Sequence, residues 1–146
     1  MNSAQDGAEV GALLDRYLIG LDDEKLDDDW ARGLFTDDAC VEFPVGRHHG
    51  IDGLAAFHHA AMAKFERTQH LGSPAVVDLA GDRATLRANL ISTQVHQPAT
   101  AAPDCSPLFT TGTFVTGEAR STAGGWRLSR LSFRLLWATG TPPPPG

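Results

Sequence analysis

The sequence predicts a single α+β domain in which a mostly antiparallel sheet curls around helices that come first in the chain. Three observations carry this. Apolar residues recur at helical spacing near the N-terminus, the pattern changes to strand-like alternation after Thr68, and no repeat or linker divides the chain. The 146 residues fit one domain, and a composition of 42% hydrophobic and 21% charged residues is globular, with enough core to enclose a pocket. Residues 1–139 are read as the domain and residues 140–146, "GTPPPPG", as a flexible Pro-rich tail.

Ser3 followed by Asp6 resembles a capping box opening a first helix. Val10, Leu13, Leu14, Tyr17, Leu18 and Leu21 then form one helical face. A second helix is expected from Asp27 to Phe35, burying Trp30 and Leu34. "FTDDA" reads as a turn, "ACVEFPV" as a strand ended by Pro44, and "GRHHGIDG" as a loop. Gly50 and Gly53 precede a third helix expected to reach Arg67, with Leu54, Phe57, Ala61 and Phe65 inward. "HLGSPAVVDLA", a Gly81-Asp82 turn and "RATLRANLISTQVHQ" predict a hairpin. Pro98 to Pro107 is a loop, and Leu108–Arg120 and Trp126–Trp137 are two long strands separated by "STAGG".

Several function classes are set aside. Twelve Lys and Arg against eighteen Asp and Glu give a net charge of −6 without a basic block, which argues against nucleic acid as a partner. No stretch reads as a membrane span or a signal peptide. Cys40 and Cys105 are far apart and make no ligand pattern, so a cytoplasmic protein with reduced thiols is expected. Phosphate-loop, dinucleotide, nucleophile-elbow and zincin motifs are all missing. His58 and His59 point about 100° apart on a helix and make a poor metal pair, and His48 and His49 sit in a Gly-flanked segment. The acidic run Asp22, Asp23, Glu24, Asp27, Asp28 and Asp29 reads as a solvated turn plus favourable charge at a helix start. No metal and no organic cofactor are expected.

Three residues remain as candidates for chemistry. Alternation places Leu86, Ala88, Leu90, Ser92, Gln94 and His96 on one strand face, and its apolar members mark that face as inward. His70 begins the preceding strand, directly after the third helix, where a sheet wall meets a helix end. On a helical wheel Asp22 lies closer to the apolar face of the first helix than Asp23 does. A lone inward His is more often a satisfied core residue. An acid and two imidazoles together are a general acid–base set, because the acid fixes one tautomer and raises its basicity.

The element order, with "RYLIGLDDEKLDDDWARGLFTDDACVEF", G-x-x-G before the third helix, "RTQH" after it and "GGWRLSRLSF" near the end, resembles the nuclear transport factor 2-like superfamily. More narrowly it resembles the SnoaL-like group, which includes polyketide cyclases. "TQHLG" and "VHQP" are similar to the histidine segments of scytalone dehydratases, and "LDDEKLDDDW" to their Asp segment. The resemblance covers Val10 to Trp137. It implies a cone-shaped barrel with a deep pocket and a catalytic Asp22–His70–His96 set working without a cofactor. Leu21 and Phe43 stand where the dehydratases carry tyrosines, and their pocket asparagine falls near Val115 or Thr116.

The leading expectation is a dehydratase or cyclase acting on a small, apolar, oxygenated molecule such as a polyketide- or terpenoid-like intermediate. One of His70 and His96 takes a proton and the other donates one. Tyr17, Trp30, Phe43, Phe57, Phe65, Phe114 and Trp137 are the expected pocket lining. A non-catalytic binding or assembly module, or a small oxygenase subunit, would use the same fold. Apolar residues of both parities in the last two strands predict a homodimer.

Overall fold

A computed structural model of the chain describes residues 2–23 and 25–144. Glu24 of the acidic run and Pro145 and Gly146 of the tail lie outside the described residues. Three helices, α1 (Ser3–Asp23), α2 (Asp28–Leu34) and α3 (Leu54–Met62), pack with a seven-stranded sheet. The strands are β1 (Phe35–Phe43), β2 (Gly46–His49), β3 (Phe65–Gly72), β4 (Val76–Ala80), β5 (Arg83–His96), β6 (Leu108–Thr122) and β7 (Gly125–Gly140). Their order is β2-β1-β7-β6-β5-β3, with β4 also paired to β5. Only β1 and β7 run parallel among the paired strands, and the sheet does not close. This is the α+β cone fold expected, with an open seam in place of a closed barrel.

The predicted apolar face of α1 is the buried one: Val10, Leu13, Leu14, Tyr17, Leu18 and Leu21 are all in the core. It faces Leu86, Ala88 and Leu90 of β5, Val115 of β6 and Leu131 and Phe133 of β7. α2 starts at Asp27, whose carboxylate accepts from the Trp30 backbone N–H at 2.9 Å. Asp27→Ala should cost about 1 kcal/mol and lower the thermal midpoint by about 3–5 °C, as read by a calorimetric scan.

Four expectations about the elements are corrected. "FTDDA" is the first half of β1, because Phe35 and Thr36 are buried and Phe35 pairs in parallel with Leu128. "GRHH" is β2, an exposed antiparallel edge on β1 that carries no apolar alternation. α3 ends at Met62 rather than Arg67, since Phe65 already pairs with His96 on β5. Its buried face is Leu54, Ala55 and His58, with Phe57 half-buried. "HLGSPAVVDLA" is two strands, because Pro74 has no N–H to continue a ladder. Ser73 covers the break by donating its N–H to the Asn89 carbonyl and accepting the Asn89 N–H on Oγ. The tail is also less free than expected at its start. Gly140 is the last residue of β7, and the Thr141 N–H bonds the Leu108 carbonyl at 2.9 Å.

Candidate active site

The end of α1 and the middle of β3 meet at Asp22 and His70. His70 Nδ1 donates to Asp22 Oδ1 at 2.7 Å, and the His70 backbone N–H donates to Oδ2 at 2.7 Å. Thr68 Oγ1 donates a further bond to Oδ1 at 2.7 Å. Burial raises the Asp22 carboxyl pKa, but these three bonds and the nearby imidazole outweigh it and hold the group below its usual value. With Nδ1–H given to the carboxylate, the neutral His70 ring presents Nε2 as a lone-pair acceptor. The His70 side chain is only 6% exposed, so that lone pair is largely shielded from bulk water.

His96 does not join this pair. On β5 it is opposite Phe65, whereas His70 is opposite Ser92, four residues away along the same strand. That is about 13 Å at strand rise. The His96 Nε2–H is given to the Thr141 carbonyl at 2.6 Å, and its ring lies 5.8 Å from that of Phe65. The structure therefore brings Asp22 and His70 together and leaves His96 at the far end of the same inner face.

A cleft of about 370 Å³ opens beside Asp22. The end of α1 (Leu21, Lys25, Leu26), the end of α3 (His59, Met62) and the start of β3 (Phe65, Thr68) line it. Of the expected pocket residues, only Phe65 borders this cleft. Tyr17, Trp30, Phe43 and Phe57 instead pack around His58 at ring distances of 5.2–5.8 Å. Phe114 and Trp137 are corrected outright, because both lie on the outer face of the sheet. Val115 is fully buried, so its neighbour Phe114 must point outward, where Arg134 sits 5.4 Å over its ring. Trp137 is 46% exposed and lies over Gly112, where a Cβ would collide with the indole.

The description of the SnoaL-like domain matches residues 2–132 of this sequence. The chain belongs to that family. Solved structures of the nuclear transport factor 2-like superfamily share its fold. A neighbour in shape is the Kfla4162 protein from Kribbella flavida, at 26% identity over 94% of this chain and 95% of that one, with a TM-score of 0.86. A chain from Novosphingobium aromaticivorans assigned as a scytalone dehydratase is 17% identical over 94% and 89%, with a TM-score of 0.78. Hexachlorocyclohexane dehydrochlorinase LinA-type3 from Novosphingobium barchaimii is 18% identical over 95% and 94%, with a TM-score of 0.77. At the last two identities the likeness is one of fold. No curated protein matches the sequence.

One polar pair in this SnoaL-like domain escaped the sequence reading. Tyr17 is fully buried and its hydroxyl donates to His58 Nε2 at 2.8 Å, while His58 Nδ1 donates to the Leu54 carbonyl at 2.8 Å. Burial depresses the His58 pKa to about 4 and raises that of Tyr17. Both groups are neutral and mutually satisfied at neutral pH. The available signal was a histidine four residues after Leu54 on the same helical face. No three His, Cys, Asp or Glu residues form a metal-ligand group among the described residues, and no described helix is long and apolar enough to cross a membrane.

Proposed function

We propose that this SnoaL-like domain is a cofactor-independent acid–base enzyme, a dehydratase or cyclase acting on a small apolar molecule that carries oxygen. The observation that carries the reading is the Asp22–His70 pair, with both carboxylate oxygens held and Nε2 of His70 left as the acceptor. A carboxylate that fixes Nδ1–H stabilises the imidazolium formed when Nε2 takes a proton. A proton next to a carbonyl is a suitable target, and loss of a β-oxygen substituent or attack on a second carbonyl completes dehydration or cyclisation. The names of the neighbours support an elimination, since a dehydrochlorinase and an assigned dehydratase share the fold. In this reading Asp22 positions His70, and His96 is the second proton-transfer candidate. A polyketide- or terpenoid-like intermediate fits the apolar surroundings. The test is deuterium exchange next to the carbonyl of a tetralone in heavy water, followed by NMR for the wild type and for His70→Ala. Exchange no faster than in buffer alone, across a panel of cyclic ketones, would overturn the reading.

The same reading includes a homodimer in a reducing cytoplasm, consistent with the unpaired Cys40 and Cys105. Leu71, Ile91, Gly112 and Trp137 are direct cross-strand neighbours on the outer face of β3, β5, β6 and β7. Leu71 is 70% exposed and Trp137 46%, so this row gives a second copy an apolar surface. Light scattering should read a dimer for the wild type and a monomer for Leu71→Glu with Ile91→Glu. A monomeric wild type rejects the assembly.

A further inference from the structure

The cleft beside Asp22 has a wall whose charge runs against that of the chain. A net charge of −6 and the acidic run from Asp22 to Asp29 would by themselves give it an acidic lining. Of residues 21–29, however, only Leu21, Asp22, Lys25 and Leu26 border it. The wall takes the one cation of the run and none of Asp23, Asp27, Asp28 and Asp29. From the start of β3 it takes a second cation, Arg67. Lys25 and Arg67 are both exposed, and among the described residues neither has a carboxylate within ion-pair distance. Arg32, Arg47 and Arg120 each have one. Asp22 is already committed, because Thr68 and His70 occupy both of its oxygens. Glu66 is the only other acid on the wall among the described residues. Between the two cations the lining turns apolar, with Leu21 buried and Leu26, Met62 and Phe65 half-buried.

We propose that Lys25 and Arg67 hold a carboxylate at this cleft, so that the molecule on which Asp22 and His70 act is an organic acid with a compact apolar body. The inference rests on the acid–base reading of the dyad and adds a negative charge to its ligand. A guanidinium meets both oxygens of a carboxylate in one plane, and an ammonium adds a mobile point charge. The apolar patch between them suits the body of the same molecule. A cleft of about 370 Å³ lies toward the small end of ligand sites, which run from about 300 to 1,000 Å³. Arg67 is three residues from His70 on β3, about 10 Å at strand rise. The acid group therefore sits away from the reacting atoms. It serves as a handle, whose binding energy orients the rest of the molecule without entering the chemistry. Thr68 links handle and dyad, since it borders the cleft and donates to Asp22. A neutral ketone or a halogenated hydrocarbon offers the two cations nothing.

Calorimetric titration of the full chain with phenylbutanoate and with its neutral amide, phenylbutanamide, tests this directly. At low salt the wild type should bind the acid about tenfold more tightly than the amide. That gap should close in about 0.5 M sodium chloride, which screens exposed charges. Lys25→Met and Arg67→Gln should each cut acid affinity by about threefold, and the double variant by about tenfold, with amide binding unchanged. Arg67→Lys keeps the charge and should keep most of the preference. Glu66→Gln removes the competing carboxylate and should raise it. Both cations are exposed, so these variants should fold as the wild type does. His70→Ala should keep the acid preference whether or not the dyad transfers protons, so the two readings fail separately. Equal affinity for acid and amide, no acid binding at millimolar concentration, or a preference that survives in the Lys25→Met, Arg67→Gln double variant overturns the proposal. The last outcome would mean that the acid binds elsewhere on the chain.

Discussion

His70→Ala is expected to lower proton-transfer turnover by about 10²–10⁴-fold with the fold retained. The magnitude follows from losing the imidazole that, among the described residues, alone has a ring nitrogen held by a carboxylate. The fold should survive because Asp22 keeps two of its three donors, the Thr68 hydroxyl and the backbone N–H of residue 70. Asp22→Asn removes the charge that stabilises the imidazolium and should cost less, since the ring can keep its place. The double variant should be little worse than His70→Ala alone, as expected of residues that act as a unit. The depressed Asp22 pKa also has a direction in stability. A carboxylate held below its unfolded value contributes stability above about pH 3.9 and loses it as pH falls through the folded value. At neutral pH Asp22 is therefore ionised, as a partner for the imidazolium requires. His96→Ala distinguishes the two roles open to the second histidine. Loss of turnover at an unchanged thermal midpoint would place its ring on the substrate. A lower midpoint with turnover per folded molecule retained would make it the anchor of Thr141, which its 2.6 Å bond favours.

Asp22 was legible because the helical wheel separates it from Asp23, and the inward His96 because the face of β5 follows from its alternation. His70 was legible only from its place after the third helix and from the family resemblance, and its contact with Asp22 joins residues 48 apart in the chain. What the sequence hid lies where long-range pairing overrides local pattern. "FTDDA" has turn chemistry, yet parallel pairing with β7 makes it a strand. Phe65 fits a helical face at the end of α3, yet the pairing of β3 with β5 claims it. The aromatic residues were misjudged in two ways. Phe114 and Trp137 took inward roles on hydrophobicity, where strand parity with Val115 and the bare Gly112 sends both outward. Tyr17, Trp30 and Phe43 are inward, but their contact with His58 is a matter of packing between helices and sheet that no spacing rule reports. Doublets such as His58-His59 invite a metal reading and draw attention from the buried member.

The second large effect belongs to that buried member. Lowering the pH from about 6.5 toward about 4 should destabilise the protein by roughly 3 kcal/mol through His58 alone. The folded His58 has a pKa of about 4, because its ring is buried among Tyr17, Trp30, Phe35, Phe43 and Phe57. In the unfolded chain it titrates near about 6.5. Between those values the unfolded state binds the proton and the folded state does not, so stability is complete above the upper value and falls toward the lower one. Protonating the folded ring would also force Nε2 to become a donor facing the Tyr17 hydroxyl, which now donates to it. Asp22 does not confuse the measurement, since its stabilisation is lost only below the ordinary carboxylate range. The control is Tyr17→Phe with His58→Phe, which replaces the polar pair by apolar rings of similar size. Either single variant orphans its partner and should cost about 1–3 kcal/mol, while the double should cost less than their sum. Across the same acid range the wild-type thermal midpoint should fall by about 10 °C more than that of the double variant. Parallel curves for the two proteins would mean that His58 takes up its proton in the folded core, and that burial does not hold it neutral.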